Sequence, residues 1–211
     1  MFYKDAVIFD LEGTLVDTER ECIRYMVGNA FKEFGMTLTD EEIDRFWFDN
    51  HREEYVTSRG IDVKEFWDVY RNLDKIDLRR KHIKLYEDLD FIPELKRKGY
   101  KMGIVTGSPV HIIALSTEAI GRNNFDAVIR AQLTSGFKLK PHPESLERCL
   151  AILGISNADS IYVGNGQEDI EIARNAHVTD VLIDRGEHNL VNIEPTIKIS
   201  SLYELRDILG L

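Results

Sequence analysis

The sequence has little cysteine, no long apolar run and no excess of positive charge. Its two cysteines, Cys22 and Cys149, form neither a Cys-x-x-Cys pair nor a disulfide-dense pattern. Both fall within apolar helical patterns and are expected as reduced core residues. No stretch approaches the roughly 20 apolar residues of a membrane-spanning helix. The N-terminus, "MFYKDAVIFD", has only a short apolar stretch that ends in aspartate, unlike a signal peptide. A cytoplasmic protein without a membrane partner is the expectation. The 27 basic residues are outnumbered by 37 acidic ones, a net charge of −10 that argues against nucleic acid or an anionic membrane surface as partner. A local basic pocket for an anion remains compatible with that balance. The six histidines show no ligand spacing, so none is assigned to a metal. There is no internal repeat and no low-complexity tract.

What is present is an alternation of short apolar runs and amphipathic stretches. At 211 residues the chain suits one domain, or one domain with a sizeable insertion. Ala6–Leu11 is a continuous apolar run rich in β-branched and aromatic residues, which predicts a buried strand. From about Glu19 to Ile83 the pattern is helix after helix, without a strand signal. Ile23, Met26, Val27, Ala30, Phe31 and Phe34 recur at helical spacing, and Thr39-Asp40 predicts a helix start ahead of Ile43, Phe46 and Trp47. A further helical stretch carries Val63, Phe66, Trp67, Tyr70 and Leu73. After residue 99, "YKMGIVTG", "DAVIRA", "SIYVGN" and "DVLIDR" read as strands. "HIIALSTEAIG", "PESLERCLAILG", "EDIEIARNA" and "LYELRDILG" between and after them read as helices. This alternation predicts an α/β fold, a Rossmann-like parallel sheet with helices on both faces, carrying an inserted all-α domain. The expected boundaries are 1–18 with 84–211 for the α/β core, and 19–83 for the helical insertion.

Ligands of such sheets bind at the carboxyl ends of the strands, near a switch in strand order. There the sequence places Asp10-Leu11-Glu12, Thr106-Gly107-Ser108 and Asn165, with Asp169 in the turn that follows. Asp10 alone can be a nucleophile, a metal ligand or a helix cap. Thr106 and Ser108 can cap the next helix, and the same N–H groups can cradle an anion. "KPHPE" adds Lys140, framed by prolines, with Lys138 as a nearby rival. An acid, a hydroxyl with backbone donors, a lysine and a second acid suit phosphoryl transfer, where positioning and charge neutralisation carry most of the catalysis. "GNGQED" is only superficially like a dinucleotide fingerprint, since it ends in Asp.

"FDLEGTLVDT", "IVTGSP", "KPHPE" and "YVGNGQEDIEIARNA" together resemble the four ordered motifs of the haloacid dehalogenase (HAD) superfamily. The likeness is to its phosphatase and phosphomutase branch, which includes phosphoglycolate phosphatases and carries a helical cap after the first motif. The resemblance runs from Ala6 to about Asp184. It implies a Mg²⁺-dependent hydrolase of a small phosphorylated metabolite, monomeric or homodimeric. Asp10 would attack phosphorus to give an aspartyl-phosphate. Glu12 would protonate the leaving group and then activate water. Thr106 and the Gly107 amide would hold phosphate oxygens, and Lys140 would neutralise charge. Asp10, the Glu12 carbonyl, Asn165 and Asp169 would hold the metal.

Two positions depart from the family's pattern. Glu12 stands where the phosphatases usually carry Asp, and the extra methylene displaces the acid by roughly 1 Å, a shift that can cost about a hundredfold in rate. Asn165 stands where an Asp is usual, and an amide oxygen ligates a hard cation without contributing charge. These departures motivate a second reading, a weakened or non-catalytic protein that binds a phosphorylated ligand. A sugar phosphomutase and a 2-haloacid dehalogenase are further alternatives, the latter disfavoured by "DLEGT" and "GNGQED". In the insertion, most of Phe46, Trp47, Phe66, Trp67 and Tyr70 are expected in a helical core. Phe48 breaks the period and is expected at a substrate-facing lid. Arg45, Asn50, His51 and Arg52 can meet a substrate's polar end or form a solvated face.

Overall fold

The computed structural model describes residues 4–49, 51–186 and 192–211. Along the chain the elements are β1 (Ala6–Phe9), β2 (Val16–Thr18), α1 (Arg20–Lys32), α2 (Asp40–Phe48), α3 (Arg52–Ser58), α4 (Val63–Leu73), α5 (Ile76–His82) and β3 (Ile83–Leu85). Then follow α6 (Phe91–Arg97), β4 (Lys101–Thr106), α7 (Val110–Ile120), β5 (Ala127–Arg130) and α8 (Glu144–Leu153). The chain closes with β6 (Ser160–Gly164), α9 (Gln167–Asn175), β7 (Thr179–Ile183), β8 (Ile197–Ile199) and α10 (Leu205–Leu209). It divides into two compact units, one comprising the chain up to Asp17 with Leu85–Leu211, the other Thr18–Lys84.

The first unit is α/β. Its sheet has the order β5-β4-β1-β6-β7-β8, and every neighbouring pair is parallel. The chain builds outward from β1 to β4 and β5, then returns to lay β6 on the other side. The switch in strand order therefore falls at β1, where Phe9 is in register with Ile104 of β4 and Val163 of β6. All four residues of β1 are fully buried, which accounts for an unbroken apolar run instead of an alternating one. Ala6 and Ile8 join a core with Leu146, Cys149, Leu150 and Leu153 of α8 and with Ile172 and Ala173 of α9. Val7 and Phe9 point to the opposite face and are equally buried. Each such Val, Ile or Phe contributes roughly 1.5–3 kcal/mol by leaving water. At Gly103 a Cβ would meet the Cys149 sulfur at 2.4 Å, so glycine is what lets α8 approach β4 so closely. Cys22 and Cys149 are both buried and free, as the sequence indicates.

The second unit is helical, and its core is the run of apolar residues that the sequence presents at helical spacing. Phe31 of α1, Phe46 of α2 and Phe66 of α4 meet with ring centroids 4.7 to 5.5 Å apart, the edge-on and tilted geometry that aromatic quadrupoles favour. Thr39 caps α2. Its hydroxyl accepts the Glu42 N–H, and the Glu42 carboxylate accepts the Thr39 N–H in return. Arg79 is buried, paired with Asp74 at 2.6 Å, and donates to the Thr18 hydroxyl at 3.0 Å. Phe48 lies beneath the Arg20 guanidinium, 4.8 Å from its centre. Arg45 and His51 are exposed, and Asn50 lies outside the described residues.

Some elements carry no sequence signal. β2 and β3 pair in a separate two-stranded sheet, and both are only three residues long. β8, also three residues, completes the main sheet at its far edge. Such short strands leave no periodicity to read. Among the described residues no helix is long and apolar enough to cross a membrane.

Candidate active site

The carboxyl ends of β1, β4 and β6 bring one polar cluster together at the switch in strand order. Asp10 follows β1 directly, its N–H bonded to the Val163 carbonyl at 2.9 Å, and it is buried. Lys140, from the loop between β5 and α8, extends to this point. Its Nζ donates to Asp10 Oδ1 at 2.6 Å and to Asp169 Oδ1 at 2.8 Å, and its side chain is 3% exposed. Lys138 is exposed and lies beside His142 at 3.2 Å. The proline-framed lysine is thus the one that enters the cluster.

Asp169 combines two positions in one. As the third residue of α9 it accepts the Gly166 N–H through Oδ2 at 3.0 Å, a reach-back at the helix start, while Oδ1 meets Lys140. Gly164 makes room for it, since a Cβ there would lie 2.3 Å from the Asp169 Cβ. Thr106 ends β4 and is buried. Neither Thr106 nor Ser108 caps α7, whose N-cap is Pro109 without a side-chain bond. Instead the Thr106 hydroxyl donates to the Ser108 hydroxyl at 3.1 Å, and Ser108 donates to Glu12 Oε2 at 2.7 Å. The turn is braced from β5 and the residues after it. Gln132 donates to the Gly107 carbonyl at 2.8 Å and Arg130 to the Ser108 carbonyl at 3.2 Å. Asn165 sits against the turn after β1, where Thr14 donates to its Oδ1 at 3.4 Å.

Burial and charge act against one another here. Burial pushes the Asp10 carboxyl up to about 7, against the pull of the Lys140 ammonium and with a further push from Asp169. Burial also disfavours the Lys140 ammonium, but Asp10 and Asp169 outweigh it and hold Lys140 charged well above its ordinary value. With Asp10 ionised, two carboxylates face one ammonium, and the excess negative charge suits a cation, which in turn favours the ionised form. Among the described residues no three His, Cys, Asp or Glu side chains converge as a metal-binding group. The site's donors are the carboxylates of Asp10 and Asp169 and the amide of Asn165, an oxygen set. That set fits a hard divalent ion of the magnesium type, which keeps several waters and needs only one or two carboxylates.

One residue of the cluster escapes a reading of the sequence alone. Tyr162, in the middle of β6, is fully buried, with its hydroxyl 2.8 Å from the Val105 carbonyl and 3.2 Å from Asp169 Oδ1. Its ring lies beneath Lys140, 5.4 Å from Nζ. Burial drives its phenol well above the ordinary range, with Asp169 and Asp10 adding to the shift against Lys140. In "SIYVGN" it looks like an ordinary strand aromatic. A tyrosine between apolar neighbours needs a partner for its hydroxyl, and that is the only available hint.

The sequence model of the haloacid dehalogenase-like hydrolase family matches residues 7–183, most of the chain and all of the cluster. The chain is a haloacid dehalogenase-like hydrolase. Among relatives of this hydrolase, pyrophosphatase PpaX of Anoxybacillus flavithermus is 25% identical over 210 residues, covering 98% of this chain and 97% of that protein. The crystal structure of a candidate phosphoglycolate phosphatase from Lactobacillus plantarum superimposes with a TM-score of 0.83 at 19% identity, covering 99% of this chain and 100% of that one. At that identity the likeness concerns the fold. A HAD phosphatase from Thermococcus onnurineus gives a TM-score of 0.70 at 26% identity, covering 98% of both chains. The parallel α/β architecture of this hydrolase is therefore that of its structural neighbours.

Proposed function

We propose that this hydrolase is a cytoplasmic Mg²⁺-dependent phosphatase that cleaves a small phosphorylated metabolite through an aspartyl-phosphate on Asp10. The observation that carries the reading is Lys140 Nζ held between Asp10 and Asp169 at 2.6 and 2.8 Å. A buried cation bound to two acids at a strand switch point fits charge neutralisation around a phosphoryl group better than a structural ion pair on a surface. The names of the relatives, a pyrophosphatase and two phosphatases, support the same class of substrate.

In this reading an Asp10 carboxylate oxygen attacks phosphorus. The bond from phosphorus to the leaving oxygen breaks, its electron pair staying on that oxygen, which takes a proton from Glu12. Water then attacks phosphorus, gives its proton to the Glu12 carboxylate, and releases orthophosphate with Asp10 restored. Thr106 and the Gly107 N–H hold phosphate oxygens, and Lys140 offsets the charge of Asp10 and phosphate together. Asp10, the Glu12 carbonyl, Asn165 and Asp169 would hold Mg²⁺, which when bound supplies positive charge against the phosphate oxygens. The helical unit serves as the cap that chooses the substrate.

The departures at Glu12 and Asn165 fit a tuned site and a decayed one alike, but the presence of Asp10, Thr106, Lys140 and Asp169 together favours an enzyme, because such units fail when one member is missing. The test is phosphate release from a panel of small monoesters and inorganic pyrophosphate, with and without Mg²⁺, for wild type and Asn165→Asp. Metal-dependent turnover by wild type, with tighter Mg²⁺ activation in Asn165→Asp, is the expected result. Turnover only in Asn165→Asp would identify the second reading, a phospho-ligand-binding protein with a decayed site.

A further inference from the structure

The contact that distinguishes this site is between Ser108 and the glutamate that replaces the expected aspartate. Ser108 is buried, and its hydroxyl donates to Glu12 Oε2 at 2.7 Å. Its own position is fixed from three sides. The Thr106 hydroxyl donates to Ser108 Oγ at 3.1 Å, the Ser108 N–H donates back to Thr106 Oγ1 at 3.2 Å, and Arg130 Nε holds the Ser108 carbonyl at 3.2 Å. A glutamate has one more rotatable bond than an aspartate, so an acid at residue 12 is both longer and looser than the chemistry wants. A short hydrogen bond from a rigid donor removes that freedom.

We propose that Ser108 is a positioning residue for Glu12, fixing where the longer acid delivers its proton. The inference rests on the phosphatase reading, in which Glu12 protonates the leaving oxygen. It deepens that reading by naming the substrates that need the pair. An alkyl phosphate expels a strongly basic alkoxide that must be protonated as the phosphorus–oxygen bond breaks. An aryl phosphate such as p-nitrophenyl phosphate expels a stable phenolate that needs no proton. Placement of Glu12 therefore matters in the first step, which kcat/KM reports, for phosphate monoesters of aliphatic alcohols and hardly at all for activated aryl esters. In the second step, where Glu12 activates water, it matters equally for both. The Ser108–Glu12 pair marks the site as one tuned for aliphatic leaving groups.

The test compares 2-phosphoglycolate with p-nitrophenyl phosphate as alternative substrates of wild type, Ser108→Ala, Glu12→Asp and the double variant. Ser108→Ala is expected to lose about tenfold to a hundredfold in kcat/KM on the alkyl ester, with less than about a threefold loss in kcat/KM on the aryl ester. The two substitutions are expected to be non-additive, because the shorter aspartate no longer meets the serine. Equal losses in kcat/KM on both esters, or additive losses in the double variant, would overturn the proposal, since a general structural defect behaves that way. Should wild type turn over neither of these two esters, the wider panel decides the phosphatase reading, and a crystal structure of Ser108→Ala decides the positioning claim separately. Glu12 displaced from its wild-type position supports it, and Glu12 unmoved overturns it.

Discussion

Gly13 backs directly onto Asn165. A Cβ built on Gly13 would stand 2.0 Å from Asn165 Nδ2, and the glycine has φ +81°. Two constraints thus fall on one residue, a left-handed backbone and the absence of a side chain. The first alone costs an L-residue about 1–2 kcal/mol. Gly13→Ala is expected to lower stability by at least about that amount and to push Asn165 from its place beside Thr14. Chemical denaturation checks the first effect. A weaker Mg²⁺ response, read by titration calorimetry, checks the second.

The same turn is held from the other side by a buried ion pair. Arg185 binds Asp88 at 2.7 Å and donates to the Thr14 carbonyl at 2.7 Å, while Asp88 also accepts the Leu202 N–H at 2.7 Å. Removing the cation leaves Asp88 buried and short of its partner, so Arg185→Met should destabilise by about 3–5 kcal/mol. Burial opposes the Asp88 charge, but the Arg185 guanidinium and the Leu202 N–H outweigh it, and its carboxyl is held below the usual carboxylate range. A carboxyl depressed in the folded state contributes stability above its unfolded value of about 4, and that contribution is lost as pH falls through the folded value. The stability gap between wild type and Asp88→Asn should therefore be large at neutral pH and shrink below about pH 4. An equal gap at both would contradict the assignment.

Tyr162 offers a third check. Its hydroxyl touches the Val105 carbonyl and Asp169 Oδ1 beneath Lys140. Tyr162→Phe keeps the ring and removes only those contacts, and is expected to cost about 1 kcal/mol in stability. If the phenol also fixes Asp169, kcat should fall severalfold with KM little changed. Unchanged kinetics would reduce Tyr162 to a core residue.

Much of this arrangement is legible in the residues themselves, for physical reasons. β1 reads as an unbroken apolar run because it is buried on both faces. The start of α2 is legible because Thr39 and Glu42 satisfy each other's N–H groups locally. The strand ends follow from the alternation, and Lys140 from its proline frame. What is not legible depends on long-range neighbours. Ser108 looks like a helix cap until Glu12, distant in sequence, is folded against it. Tyr162 looks like any strand aromatic until Lys140 and Asp169 meet above it. The three-residue strands β2, β3 and β8 are too short to carry a period, and partners elsewhere in the chain define them.

The most direct test of the central claim is phosphate release by wild type and Asp10→Asn, at equal concentrations of folded protein and saturating Mg²⁺, on the best substrate of the monoester and pyrophosphate panel. The account predicts wild-type turnover and its loss by at least about a thousandfold in Asp10→Asn, because the amide cannot attack phosphorus and the covalent route is closed. Turnover that survives in Asp10→Asn at the wild-type rate would contradict it, and would move the chemistry away from the carboxylate that Lys140 holds.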